Sequence, residues 1–193
     1  MSSSDQARWD ERHSQSQATA RPAEFLREVI ESAAWSLPRG RALDIACGKG
    51  RNAIYLAERG FTVVALDISS VALAEGQKLA ATKQLGIDWQ QADLEGVHLD
   101  ESAFDLIVNI NYLQRPLIAQ IKRAVKIGGH VVFETFLIDQ KTIGHPSNPE
   151  FLLGHNELLE HFGDFRVLYY RAGLFTDNGE KSYRAGILAG RMA

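Results

Sequence analysis

The sequence lacks most of the features that mark secreted, metal-binding or membrane-spanning proteins. Its 193 residues include one cysteine, Cys47, which excludes an internal disulfide framework and a multi-cysteine zinc site. No apolar run approaches the roughly 18 residues of a bilayer-spanning helix, and residues 1–20 lack the apolar core of a signal peptide. We therefore expect a cytoplasmic enzyme or binding protein with no metal and no membrane partner.

An excess of positive charge is also missing. The chain has 21 Lys and Arg against 24 Asp and Glu, a formal net charge of -3, and no basic stripe. Proteins that bind nucleic acids usually carry such a stripe or patch. We expect no nucleic-acid partner, a small molecule as the ligand, and a chain that is a monomer or a weak dimer.

What the sequence does contain is a regular alternation of apolar runs and amphipathic segments. The near-continuous apolar runs are typical of parallel strands covered on both faces, and two later segments predict a closing hairpin. The pattern predicts an α/β fold: a doubly wound, mostly parallel seven-stranded sheet with helices on both faces and an antiparallel C-terminal hairpin. Residues 21–193 are expected to form this single domain, and residues 1–20 a mobile tail or lid. The predicted strands are 41–46, 61–67, 86–91, 104–109, 130–136, 165–170 and 183–188.

A glycine turn at the end of the first predicted strand is typical of a nucleotide-like ligand site. Gly48 and Gly50 follow a short apolar run that contains Asp44, and a helix is predicted to begin directly after them. Glycine lets the backbone approach a ligand closely, and the positive end of the next helix points to the same place. Ligands of open parallel sheets bind in that crevice.

Two ligand classes suit this turn. Residues 48–53 match G-x-G-x-x-A, and Asp67 ends the second strand at the distance where a carboxylate meets a ribose, so an NAD-dependent oxidoreductase is one alternative. Asp93 follows the third strand, which brings three acids, counting Asp44, to one crevice. The oxidoreductase is disfavoured because no tyrosine has a lysine four residues later and little chain remains for a substrate domain.

This order of acids and glycines resembles the class I S-adenosylmethionine-dependent methyltransferases. Residues 43–50 are similar to the family's first motif, Leu66-Asp67 to the acidic end of its second strand, and Ala92-Asp93-Leu94 to its adenine-binding turn. Ala46 departs from the family, which often has glycine there. The closer resemblance is to the tellurite-resistance-type and thiopurine-type branch, and it rests on Trp9-Asp10-Glu11-Arg12, Gly50-Arg51-Asn52 and residues 127–136.

The resemblance implies S-adenosylmethionine as the cofactor and S-adenosylhomocysteine as its product. Asp67 would accept hydrogen bonds from both ribose hydroxyls, Ile68 would lie against the adenine, and Asp93 would take its amine. The backbone near Gly48 would meet the methionine part, and Arg12 could pair with its carboxylate. The full set of cofactor residues implied is Asp44, Ala46, Gly48, Gly50, Asn52, Asp67, Ile68, Asp93, Leu94, Asn109 and Arg12.

Methyl transfer from a sulfonium is an in-line displacement, so the protein mainly aligns the reactants and excludes water. A thiolate acceptor needs no general base, whereas a neutral oxygen or amine can require one. No catalytic residue is assigned; the candidates for the acceptor pocket are Tyr112, Arg115, Glu134 and His145.

The segment after the fourth strand narrows the choice of acceptor. It lacks the Pro-Pro pair of enzymes that methylate adenine or glutamine amide nitrogens, and the chain has no Pro-Cys dipeptide for cytosine methylation. The expected function is therefore methylation of a small molecule. The alternative is a non-catalytic S-adenosylmethionine-binding or sensor protein, which would need the cofactor site but no acceptor pocket.

Overall fold

The computed structural model describes residues 3–15, 21–177 and 179–193. Its seven strands form one sheet in the order β3-β2-β1-β4-β5-β7-β6. Strands β1 to β5 run parallel, and β7 pairs antiparallel with both β5 and β6. The predicted fold class is confirmed. The strands are β1 Arg41–Ile45, β2 Thr62–Asp67, β3 Ile87–Gln91, β4 Phe104–Ile110, β5 Val125–Phe136, β6 Arg166–Asp177 and β7 Glu180–Gly190.

Helices cover both faces of the sheet. The buried side chains of α5 and α6 pack on one face, and those of α2, α3 and α4 pack on the other. Successive strand residues alternate between these layers, so Leu43 and Ile45 join the α5 side while Ala42 joins the α2 side. This explains the continuous apolar runs. The helices are α1 Ser3–Gln15, α2 Glu24–Glu31, α3 Arg51–Glu58, α4 Ser70–Thr82, α5 Arg115–Ala124 and α6 Glu157–His161; two 3-10 turns span Ile138–Thr142 and Pro149–Phe151.

The fifth strand is longer than the sequence pattern indicates. The apolar run predicts β5 over residues 130–136, and the pair Gly128-Gly129 before it is typical of a helix end, but α5 ends at Ala124 and β5 begins at Val125, which pairs with Phe104. Gly128 adopts a φ of 79° within the strand, and its N–H donates to the carbonyl of Arg191. That prediction was wrong because the glycines accommodate an irregular strand start rather than a helix end.

The closing hairpin is also longer than expected. Strand β6 continues to Asp177 and β7 starts at Glu180, so the ribbon extends beyond the end of β5. Phe136, the last residue of β5, lies opposite Arg184 in β7. The hairpin therefore places side chains of β6 and β7 at the carboxyl edge of the parallel strands, where the ligand site is expected.

Helix α1 covers part of the chain expected to be a tail. Residues 3–15 are helical and contact α4, while residues 1, 2 and 16–20 of the expected tail lie outside the described residues. Asp10 holds this contact, because its Oδ1 accepts hydrogen bonds from Ser69 Oγ at 2.6 Å and from the Val71 N–H at 3.3 Å. Helix α1 is thus fixed at the start of α4.

Candidate cofactor site

The turn between β1 and α3 is strained at a position that is not glycine. Gly48 and Gly50 have φ values of 54° and 77°, and Ala46 has a φ of 52°. A Cβ in this left-handed region costs roughly 1–2 kcal/mol. The turn is held by hydrogen bonds from the Cys47 N–H to the Leu66 carbonyl and from the Gly50 N–H to the Cys47 carbonyl, both 2.9 Å. The strained residue, Ala46, is the one at which the resembled family often has glycine, a residue that adopts this conformation without strain.

The two glycines serve different neighbours. A Cβ on Gly50 would lie 2.2 Å from Cη2 of Trp89, so Gly50 is required by packing against β3. A Cβ on Gly48 would lie 3.3 Å from Cε1 of His13 in helix α1. Gly48 therefore leaves a narrow space between the turn and α1, whereas Gly50 contacts the body of the protein.

Asp67 joins the glycine turn to the end of β2. Its Oδ2 accepts from the Gly48 N–H at 2.7 Å and its Oδ1 from the Ser69 N–H at 2.9 Å. A carboxylate has about four lone-pair sites, so each oxygen keeps capacity for a further donor. This geometry fits a ligand that brings two hydroxyl groups to Asp67.

Asp44 is a buried carboxyl group whose Oδ2 has no hydrogen-bond partner within the described residues. Burial is the main cause that raises its pKa to about 7; the Ala53 N–H and Arg51 act against this, and Asp67 adds to it. An unpartnered buried oxygen is costly. Asp44 fits the implied cofactor, because the methionine part of S-adenosylmethionine carries an ammonium group that can donate a hydrogen bond to Oδ2.

The third acid lies at the turn after β3. Asp93 is half-buried and its Oδ1 accepts from the Glu95 N–H at 2.9 Å, while the Ala92 N–H donates to the Asp67 carbonyl. Ile68 is half-buried beside it, and the Leu94 side chain belongs to the core. The turn is therefore attached directly to the end of β2.

Two polar residues expected at the cofactor make contacts within the protein. Asn52 Oδ1 accepts from the Ala23 N–H at 2.9 Å, which joins α3 to the start of α2. Asn109 Nδ2 donates to the Tyr112 carbonyl at 2.7 Å and closes the turn after β4. Asn109 pairs with Ile45 in the neighbouring strand β1. The Asn109 turn lies beside the glycine turn, whereas Asn52 supports α2 and α3.

Helix α1 brings a different residue to the turn from the one the sequence suggested. Arg12 is exposed, with its guanidinium 5.1 Å from the centroid of the Trp9 ring. His13 instead lies over Gly48, and its pKa is lowered chiefly by burial, with Asp67 opposing this. The spacing of Asp10 and His13, three residues apart on one helical face, is the signal that could have identified His13.

The candidates for the acceptor pocket separate into several environments. Tyr112 is half-buried; burial raises the pKa of its hydroxyl, and the charges of Glu95, Asp93 and Asp67 raise it further, so Tyr112 lies within electrostatic reach of the acids of the crevice. Its hydroxyl donates to Gln114 Oε1 at 3.0 Å. His145 is exposed in the loop after β5.

Arg115 and Glu134 are engaged in ion pairs. Arg115 donates to both carboxylate oxygens of Glu157, at 2.7 and 3.0 Å, and to the backbone carbonyls of residues 150 and 152. It thereby attaches the start of α5 to the loop after β5 and to α6. Glu134 is buried and pairs with Arg171 at 2.7 Å and Arg184 at 3.5 Å. Arg171 and Arg184, on the closing hairpin, carried no sequence signal.

No described helix is both long and apolar enough to cross a bilayer. Over the same ranges, no group of three or more His, Cys, Asp or Glu side chains is arranged to hold a metal ion.

Comparison with known proteins supports the family indicated by the motifs. A family model described as a methyltransferase domain matches residues 42–129. The probable S-adenosyl-L-methionine-dependent methyltransferase TehB of Haemophilus influenzae is 25% identical over 141 residues, covering 69% of this chain and 49% of that protein. Probable thiol methyltransferase 2 of Arabidopsis thaliana is 29% identical over 143 residues, covering 65% and 58%.

The fold agrees with the solved structure of one of these relatives. The crystal structure of TehB from Haemophilus influenzae has a TM-score of 0.72 and 21% identity, covering 96% of this chain and 66% of that one. The chain spans about half the length of the first curated relatives it matches, 49% for two of them. The first motif, the acids and the sheet order, together with the matched methyltransferase domain and the TehB relatives, make this chain similar to the class I S-adenosylmethionine-dependent methyltransferases and support the tellurite-resistance-type branch.

Proposed function

We propose that this chain binds S-adenosylmethionine at the carboxyl edge of β1, β2 and β3 and transfers its methyl group to a small-molecule acceptor. The observation that carries the proposal is the pair of acids beside Gly48. Asp67 is fixed by the Gly48 N–H with lone pairs to spare, and Asp44 has a buried oxygen without a donor. A purely structural role explains neither.

The two acids suit the two ends of the cofactor. Asp67 would accept the ribose hydroxyls, because a carboxylate takes two donors in parallel. Asp44 would accept from the ammonium group of the methionine part, directly or through water. Ile68 would contact the adenine face and Asp93 its amine, since both follow the strands next to Asp67.

The cofactor supplies an activated methyl group, and the chain supplies position and shielding. His13 lies against Gly48 at the glycine turn and would shield this end of the cofactor from water. The 109–112 turn, at the end of β4, forms the boundary on the acceptor side. Holding both reactants in line can provide several kcal/mol of barrier reduction.

A small molecule is the acceptor that the chain suits best. The formal net charge is -3 and the matched relatives include one named for thiol methylation. A thiol deprotonates readily and attacks the methyl carbon without a base. The described site contains Tyr112 beside the acids but no nucleophile to form a covalent intermediate: Cys47 is buried, and burial raises the pKa of its thiol.

The test is transfer of a radiolabelled methyl group from S-adenosylmethionine to a panel of small thiols, phenols and carboxylates. We expect labelled product from at least one class, and its loss in Asp67→Ala. The matched control is Asp88→Ala, an exposed acid on β3. Tight cofactor binding with no product from any class would contradict the enzyme and leave the sensor alternative.

A further inference from the structure

Arg184 is a buried cation at the acceptor side of the crevice. It lies opposite Phe136 at the end of β5, and its side chain is only 7% exposed. Its guanidinium carbon lies 4.4 Å from the centroid of the Phe136 ring, and Nε donates to Ser182 Oγ at 2.6 Å. Burying a guanidinium is costly unless it is paired, so its remaining partners are informative.

The partner nearest the crevice is Asn111. Arg184 Nη1 donates to Asn111 Oδ1 at 2.5 Å and lies 3.5 Å from Oε2 of Glu134. Asn111 directly follows β4, is exposed, and has a φ of 63°. Its N–H donates to the Glu134 carbonyl at 2.9 Å. Asn111 thus connects a buried arginine to the exposed rim of the crevice.

The chemistry of the two groups fixes the orientation of the amide. A guanidinium has donors only, so Asn111 must present Oδ1 to Arg184. Its Nδ2 donor is then on the side of the amide that does not face Arg184. Within the described residues, no acceptor is found for that Nδ2. Donation from a cation to Oδ1 also polarises the amide and strengthens Nδ2 as a donor.

The position of Asn111 relates it to the cofactor side. Asn109, two residues earlier, pairs with Ile45 at the end of β1, and its side chain closes the turn onto Tyr112. The charges of Asp67 and Asp93 contribute to the raised pKa of the Tyr112 hydroxyl. The Asn111 amide therefore lies on the turn that separates the proposed cofactor site from the loop after β5.

We propose that Asn111 Nδ2 is a specificity-determining donor for the methyl acceptor, and that Arg184 is the positioning residue that orients it. The acceptor is then a small molecule with a carboxylate or carbonyl oxygen near the atom that is methylated. This inference rests on the proposed function and goes beyond it by naming the recognised group.

The test compares two thiols of the same shape: mercaptopropionate, and isopentanethiol, in which a branched hydrocarbon replaces the carboxylate. We expect kcat/KM of the wild type to favour mercaptopropionate by about tenfold or more, as for a hydrogen bond to a charged group. Asn111→Gly, which suits the positive φ, should bring the ratio close to one, mostly through KM. Asn111→Asp, which keeps an oxygen for Arg184 but loses the donor, should invert it.

Asn156→Gly is the matched control, because Asn156 also has a positive φ, 65°, but precedes helix α6 and lies outside the turn after β4. It should retain the wild-type ratio. Arg184→Met should lower the ratio, and Arg184→Lys should recover part of it, since lysine also donates to Oδ1. Equal ratios in wild type and Asn111→Gly, or a wild-type preference for isopentanethiol, would overturn the proposal.

If neither thiol is methylated, binding of isobutyrate to the protein saturated with S-adenosylhomocysteine decides. Isobutyrate binding that Asn111→Gly abolishes supports the inference, and binding that is absent or unchanged overturns it. Calorimetry with S-adenosylhomocysteine distinguishes failure of the proposed function from failure of the inference on Asn111. Failure of the wild type to bind it overturns the proposed function together with the inference, whereas normal binding confines any failure to Asn111.

Discussion

The two halves of the crevice are built in opposite ways. At the ends of β1 to β3, the acids are held by backbone N–H groups and keep oxygens available: Asp67 receives the Gly48 and Ser69 amides, and Asp44 has an oxygen without a donor. At the ends of β4 to β7, the charged side chains satisfy one another, as Glu134 does with Arg171 and Arg184.

The difference follows from what each half must recognise. Backbone amides and short acids offer a fixed pattern for one cofactor, and such a pattern can be encoded in a few neighbouring residues. A side-chain network can change from one acceptor to another without disturbing the turn at Gly48. The same family can then act on different acceptors with one cofactor site.

The largest expected effect is the loss of stability when the buried ion pairs of the acceptor half are disrupted. Glu134→Ala removes the buried partner of Arg171 and Arg184, and leaving buried charges uncompensated should lower the free energy of unfolding by about 3 kcal/mol or more. Urea denaturation measures it. Glu28→Ala is the control, because this exposed partner of Arg171 should cost less than about 1 kcal/mol. A similar loss of unfolding free energy in both variants would contradict the stabilising role of the buried pairs that Glu134 makes with Arg171 and Arg184.

The second effect breaks the cofactor half. Asp67→Ala removes the proposed ribose acceptor and should weaken S-adenosylmethionine binding at least about tenfold, or about 1.4 kcal/mol. Titration calorimetry measures it, with Asp88→Ala as the control. A dissociation constant unchanged by Asp67→Ala would remove the ribose role of this acid.

The third prediction concerns how the ionisation of Asp44 makes stability and cofactor affinity depend on pH. Its folded pKa of about 7 lies above the ordinary value, so the folded chain holds this proton more tightly, and stability falls as pH rises from about 4 towards 7. A ligand ammonium prefers the ionised form. S-adenosylmethionine affinity should therefore rise up to about tenfold between pH 6 and pH 8.

Asp44→Asn is the comparison for that pH profile. The neutral amide cannot ionise, so its affinity should change little over the same range. A wild-type affinity that is flat with pH, or a slope that persists in Asp44→Asn, would assign the effect to another group such as His13.

The smallest effect concerns the strained turn. Ala46→Gly relieves the left-handed conformation, while glycine loses more conformational entropy on folding, so the net gain should be about 0.5–1 kcal/mol. Thermal or urea unfolding measures the gain. Ala42→Gly, within the regular strand β1, should instead destabilise the chain, and a loss of stability in Ala46→Gly would contradict the strain.

The two halves also differ in how well the sequence predicted them. The cofactor half consists of local motifs, so the sequence alone predicts the glycine turn and the three acids at the ends of their strands. The sheet followed from apolar runs. The role of Arg12, which the resemblance implies, stays a prediction, and α1 places His13 next to Gly48. Sequence reasoning missed His13, because helical phase in a polar segment carries little hydrophobic pattern.

The acceptor half joins residues that are distant in the chain. Asn111 comes from the turn after β4, whereas Glu134, Arg171 and Arg184 come from β5, β6 and β7, and no sequence spacing relates them. Their contact depends on the register of β5 with β7, which a one-residue shift would destroy. Arg115 was proposed for the acceptor because it follows β4, but its donors are directed to Glu157 and the loop.

The most direct test of the account is parallel calorimetric titration of the purified chain with S-adenosylmethionine, S-adenosylhomocysteine and NAD. The proposed cofactor site predicts micromolar binding of both adenosyl ligands, lost in Asp67→Ala, and no binding of NAD. Binding of NAD without the adenosyl ligands would contradict the assignment of the Gly48 turn and of every role derived from it.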